Sequence, residues 1–131
     1  MRPEQIRVDG ELLAIVVRHD FAPEKLEFLT PEEFGLQLGV HSRKRNDVVE
    51  AHGHVPFENL NIAAQEFFYV VAGRVEVDLF HRGKKQKTIV LGVGDMILLN
   101  CAHGMRFATD SRIVEIKQGP YRGKSVEKTS V

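Results

Sequence analysis

The chain never sustains an apolar pattern long enough for a helix of ordinary length. Its apolar residues come in short runs, each cut off by glycine, proline, asparagine or aspartate. Residues 12–17 form the first dense run, β-branched toward its end and followed by the polar Arg18-His19-Asp20. Phe34, Leu36, Leu38 and Val40 alternate with Gly35, Gln37, Gly39 and His41, the period-two signature of a strand with one apolar face. Residues 48–54 read as a strand that carries Glu50, His52 and His54 on one face. Residues 66–72, 74–80, 86–91, 96–99, 105–108 and 113–117 continue the series, with turns at Gly73, His81-Arg82-Gly83-Lys84-Lys85, Gly92-Val93-Gly94-Asp95 and Thr109-Asp110-Ser111. Thr30-Pro31-Glu32-Glu33 has a cap residue, a proline at the first helical position and an acid three residues after the cap, which predicts one short helical turn. About nine or ten strands with no long amphipathic helix predict an all-β sandwich or barrel.

The 131 residues suit one domain, with a core over 34–118, an N-terminal strand at 11–18 and a polar tail at 119–131. Eighteen basic and eighteen acidic residues cancel, so no global field recruits nucleic acid or an anionic membrane, and Arg43-Lys44-Arg45 is too short to imply either. A small neutral or mixed-charge molecule is the expected ligand. The single cysteine, Cys101, has no internal disulfide partner, no secretory signal opens the chain, and no apolar run approaches the roughly 20 residues of a membrane span. A cytoplasmic protein is the expectation.

Within this series of strands one set of polar residues stands out. His52 and His54, two apart in a strand, present both imidazoles to one side; Glu66 opens an apolar strand; His103 stands at the entry of another. A carboxylate beside neutral imidazoles is costly to bury unless a cation or hydrogen bonds compensate it. Gathered on one sheet, the four make a pocket of three nitrogens and one oxygen for a divalent transition metal. The plainer reading is that the two histidines form hydrogen bonds inside a polar pocket, Glu66 caps a turn and His103 merely starts a strand.

His52-x-His54 followed by Glu66-Phe67-Phe68-Tyr69-Val70-Val71-Ala72-Gly73 resembles the first motif of the cupin superfamily, and Gly94-Asp95-Met96-Ile97-Leu98-Leu99 followed by His103 resembles the second. The resemblance implies a small jelly-roll barrel (a double-stranded β-helix) with His52, His54, Glu66 and His103 as ligands of one manganese, iron, nickel, zinc or copper ion. The chain departs from the motif at three places. Asn46 replaces a turn glycine, a residue that accepts left-handed dihedrals; the connection from His54 to Glu66 is long; and Asn100 and Ala102 stand where the family has proline and glycine, so that His103 comes early. Glu58 has the shorter spacing but lacks the strand and glycine after it. Leu36-Gln37-Leu38-Gly39-Val40, Gln65-Glu66, His103-Gly104 and the ending Glu115-Ile116-Lys117-Gln118-Gly119-Pro120-Tyr121 resemble single-domain cupins encoded among sugar-nucleotide and surface-polysaccharide genes, which implies a carbohydrate or sugar nucleotide as ligand.

Gln37 and His41, opposite their strand's apolar face, and Lys117, near the end of the last strand, are the candidate substrate-binding residues. Phe67, Tyr69 and Val71 lie opposite Glu66, Phe68 and Val70, so this strand is apolar on both sides and needs two covers, which predicts a homodimer. No residue stands out as an independent general base. The sequence therefore leaves open a metal-dependent isomerase or epimerase, a binding or regulatory module, and a metal-free epimerase with His54 as base and Tyr69 as acid. Tyr69 points away from the face of Glu66 in an unbulged strand, which weighs against the last.

Overall fold

Side-chain alternation along the strands decides the layers. A computed structural model describes residues 1–56 and 64–119. Among the described residues there is no helix, and ten strands pair antiparallel: β1 (Glu4–Val8), β2 (Glu11–Val17), β3 (Leu26–Phe28), β4 (Gly39–His41), β5 (Glu66–Ala72), β6 (Val75–His81), β7 (Lys84–Leu91), β8 (Met96–Leu99), β9 (His103–Phe107) and β10 (Arg112–Lys117). They form a five-stranded sheet in the order β1-β2-β8-β5-β10, a three-stranded sheet β7-β6-β9 and the hairpin β3-β4.

The two larger sheets close on one apolar core. Ala14 and Val16 of β2, Phe68 and Val70 of β5, and Ile97 and Leu99 of β8 meet Val75, Val77 and Leu79 of β6 and Ile89 and Leu91 of β7. Residues of the opposite parity, Ile15, Val17 and Leu98, face outward, yet they are buried too. Phe21, Leu29, Phe34, Leu36, Leu38 and Val40 pack on them, so residues 21–40 fold back as a cover over the outer face of the five-stranded sheet. The apolar outer face of β5 thus finds part of its second cover within the chain: Phe67 lines a hollow with Leu36, Leu38, Leu98 and Ile116. Tyr69, Val114 and Ile116 remain partly exposed.

Two turns are set by backbone geometry. Gly73, between β5 and β6, has φ +90°, and Gly94, before β8, has φ +85°, where a Cβ would come within 2.7 Å of the His19 Cβ. Asp95 then seals the second turn from inside. Its carboxylate accepts N–H groups of Gly92 (2.8 Å) and His19 (3.1 Å) and an Arg18 guanidinium hydrogen (3.1 Å). Burial alone would raise its pKa, but these donors outweigh burial and hold it below the usual carboxylate range.

The structure departs from the sequence expectations in the first half of the chain. Strands β1 and β3 have too few apolar residues to signal themselves; Ile6 is the one fully buried residue of β1. The alternating stretch 34–40 is strand only from Gly39, because its apolar residues pack flat on a sheet instead of pairing along it. Residues 30–34 make a single turn, closed by the Phe34 N–H on the Pro31 carbonyl at 3.1 Å, rather than a helical turn. Residues 48–54 are not a strand at all: they lie exposed outside any ladder, with Val48 77% and Val49 60% accessible. No described helix is long and apolar enough to cross a membrane.

Candidate functional site

Register brings Glu66 and His103 together. Glu66 is the first residue of β5, cross-strand to Leu99 and to Lys117, and shares the inward face with Phe68 and Val70. His103 is the first residue of β9, cross-strand to the buried Leu79, and therefore points inward from the opposite sheet. Glu66 Oε1 lies 3.2 Å from His103 Nε2, with side chains 28% and 20% accessible. Phe68 stands edge-on to the imidazole with ring centroids 6.2 Å apart, which walls the pair on the core side.

The tautomer of His103 follows from its other nitrogen. Nδ1 is 2.9 Å from the Cys101 carbonyl, which can only accept, so Nδ1 carries a hydrogen. The Nε2 lone pair then faces a carboxylate, an arrangement stable only with a cation between them, either a proton or a metal. A proton on Nε2 makes the contact a charge-assisted hydrogen bond. The hydrogen bond to Glu66 raises the His103 pKa above the ordinary imidazole value; burial opposes this, and the Cys101 carbonyl, the charge of Glu66 and that of Glu115 add to the rise. Glu115 shares the inward face of β10 with Lys117, whose Nζ lies 3.9 Å from its Oε2.

A carboxylate oxygen and an imidazole nitrogen are both donor types for a divalent transition metal, and their separation of 3.2 Å is that of a hydrogen-bonded pair, slightly less than the roughly 3.3–3.6 Å between tetrahedral ligands of one ion. Cys101 contributes a carbonyl rather than a thiolate, since burial pushes its thiol pKa up and the Phe80 N–H offsets this only in part. His52 and His54 are near each other, with ring centroids 5.0 Å apart, on the exposed stretch before residue 57. His52 Nδ1 donates to the Glu50 carbonyl at 2.8 Å, which leaves the lone pair on Nε2, the same tautomer as His103. The structure thus pairs Glu66 with His103 and His52 with His54. Among the described residues no group of three or more His, Cys, Asp or Glu side chains is disposed to hold a metal ion.

The three candidate substrate-binding residues part company. Lys117 is cross-strand to Glu66 at the same mouth. Gln37 and His41 sit in the outer cover, with the five-stranded sheet between them and Glu66. Gln37 spends its amide on its own turn, donating to the carbonyls of Pro31 (2.9 Å) and Phe34 (3.0 Å) and accepting from Thr30 Oγ1 (2.9 Å). His41 Nδ1 accepts from the Arg43 guanidinium at 3.0 and 3.1 Å. Tyr69 pairs with Met96 and Val114 on the outer face, away from Glu66. Glu58 and Tyr121 lie outside the described residues, as does 120–131 of the tail.

Sequence reasoning missed three polar residues around this mouth. His81, near the same end of β6, lies between Asp9 Oδ2 (3.3 Å) and Glu11 Oε2 (3.6 Å), and among the described residues its buried Nε2 makes no hydrogen bond. Gln65 and Asn100 form a buried amide pair behind Glu66, with Gln65 Nε2 donating to Asn100 Oδ1 at 3.0 Å. A polar residue immediately before an apolar strand was the available signal. Two hollows, of about 440 Å³ beside Arg2, Glu27 and Phe28 and about 190 Å³ beside Leu36 and Phe67, both open on the outer face rather than at the carboxylate–imidazole pair.

Fold and site together define a two-sheet, all-β protein with a carboxylate–imidazole pair bridging its layers at one open end. No family model matches the chain, and neither curated proteins nor solved structures give a match.

Proposed function

We propose that this is a metal-binding cupin that holds a small polar molecule, a carbohydrate or sugar nucleotide, at a three-histidine, one-glutamate site between the sheets. The observation that carries the reading is His103, whose Nδ1 is committed to a carbonyl while Nε2 is aimed at Glu66 from 3.2 Å. The sheet orders are compatible with a jelly roll: β10-β5-β8 faces β9-β6-β7, with β9 and β10 each ending its sheet among the described residues. Asn46, where the motif carries a turn glycine, has φ 72°. Residues 48–54 laid along the open side of β9 would put His52 and His54 on the face of His103 and complete the ligand set.

A bound metal would polarise a carbonyl or hydroxyl oxygen of the ligand. Glu66 and His103 would hold the ion, and Lys117, cross-strand to Glu66, would meet an anionic group at the rim. If there is turnover, isomerisation or epimerisation is the matching chemistry; without it, the same site serves a binding or regulatory module. Incubation with a panel of nucleotide sugars, followed by mass spectrometry, separates the two. The second reading is metal-free acid–base chemistry by the Glu66–His103 pair itself, favoured by the raised His103 pKa.

Elemental analysis of chain purified without chelator and loaded with manganese, iron, nickel, zinc or copper decides between these. The proposal expects about one ion per chain, lost in Glu66→Ala and His103→Ala and diminished in His52→Ala. Metal content that survives all three substitutions overturns the site, and a wild-type chain that takes up none of these metals leaves the acid–base reading. The partly exposed Tyr69, Val114 and Ile116 belong to the same proposal as the face against which a second copy packs; light scattering that finds a monomer at micromolar concentration removes that part.

A further inference from the structure

We infer that Gln65 is the positioning residue of the mouth: its buried side-chain amide takes up where the strand ladder ends and holds Glu66 opposite His103. Glu66–Leu99 and Glu66–Lys117 are the last cross-strand pairs of β5 at this end, so beyond them the backbone has no strand partner to fix it. Gln65 takes over at that point. It is 2% accessible, its N–H donates to Gln118 Oε1 at 2.9 Å, its Oε1 accepts the Leu36 N–H at 3.0 Å and its Nε2 donates to Asn100 Oδ1 at 3.0 Å. Asn100 passes the connection on through Nδ2 to the Leu12 carbonyl (3.0 Å) and through its N–H to the Leu13 carbonyl (2.8 Å).

This chain of amides joins the cover segment, the starts of β2 and β5, the end of β10 and the link from β8 to β9. One of its ends is the chain neighbour of Glu66. The other is followed directly by Cys101, whose carbonyl sets the His103 imidazole. Gln65 precedes Glu66, and its amide meets Leu36 of the outer cover, so it acts through Glu66 and does not reach a ligand between the sheets. An apolar side chain in its place would leave the half-buried Leu36 N–H and Asn100 Oδ1 without this partner, and the segment 100–102 would move toward water to satisfy them.

The metal-affinity part of the test rests on the proposed function; the contact itself does not. Gln65→Met, close to isosteric, is compared with Ile89→Ala, a core substitution on β7 that destabilises without touching the network. In crystal structures of the metal-free variants, the Glu66–His103 contact opens beyond about 4 Å in Gln65→Met and persists in Ile89→Ala. In cobalt(II) titrations followed by visible absorption, Gln65→Met binds about 10–100-fold more weakly, while Ile89→Ala matches the wild type. A contact retained in Gln65→Met overturns the inference. A wild-type chain that takes up no cobalt counts against the metal reading alone, because the crystal contact still decides the role of Gln65. Should Gln65→Met fail to fold, Asn100→Ala cuts the same connection nearer His103 and is judged by the same two outcomes.

Discussion

Two carboxylates, Glu66 and Asp78, sit on opposite sides of the β6–β9 ladder and meet very different bases. Asp78 pairs with Gly104 on the outer face, one residue from the inward Leu79–His103 pair. It accepts from Thr88 Oγ1 at 2.6 Å, from the Arg106 guanidinium and from Lys85 Nζ at 3.4 Å. The Arg106 hydrogen bond, then that of Thr88, hold its pKa down at about 2 against the opposing effect of burial. Glu66, between the sheets, has an imidazole for a partner and Glu115 nearby. A carboxylate saturated by permanent cations does one thing, which is to tie strands together. A carboxylate opposite an imidazole faces a partner whose charge depends on a proton, so the pair is sensitive to pH in a way the Asp78 cluster is not.

The largest effect that sharpens this contrast is on folding. Leu79, the chain neighbour of Asp78 and the cross-strand partner of His103, is fully buried, so Leu79→Ala should lower stability by about 2–5 kcal/mol in urea unfolding. Next comes the site: Glu66→Gln should weaken cobalt(II) binding at least about tenfold, in line with losses seen even for residues behind a ligand, whereas Asp78→Asn should leave it unchanged. Equal losses from both would erase the distinction.

The pH dependence of the metal-free chain should then run in opposite directions. The folded-state pKa of Asp78 is lowered, so its contribution is present above the unfolded value of about 4 and fades as pH falls through about 2. Asp78→Asn should therefore be less stable than wild type at pH 7 and converge with it near pH 2. For His103 the folded pKa is raised, so its contribution is complete below the unfolded value of about 6.5 and is lost as pH rises through the folded one. His103→Ala should fall behind wild type at pH 5 and draw level in alkali. Parallel pH profiles for the two variants would show that the pairs are alike after all. The smallest effect belongs to the outer cover: Gln37→Ala should cost about 1 kcal/mol from the turn it closes, with cobalt binding intact.

Local pattern made the second half of the chain readable. From β5 to β10 four of the five connections carry glycine or aspartate, and the apolar runs and the strands coincide within one or two residues. Residues 21–56 were less so. Phe34, Leu36 and Leu38 are apolar because they lie on a sheet, not because they belong to one, and alternation alone does not distinguish the two. Residues 48–54 have the strand pattern without a paired neighbour, which is the one thing a strand needs.

The residue types of the mouth belong to the sequence: a glutamate that opens an apolar run and a histidine just after a turn mark Glu66 and His103 before any fold is known. Their meeting does not. It depends on β5 and β9 lying in different sheets with inward parity at the same end, a matter of long-range register that no local spacing encodes. The same holds for Gln65, whose role appears only when Leu36, Asn100 and Gln118, all distant in sequence, meet at one residue, and for the assignment of Gln37 and His41 to the far side of a sheet. Short-range chemistry is written in the order of residues; which polar groups face one another across a core is settled by how the layers close.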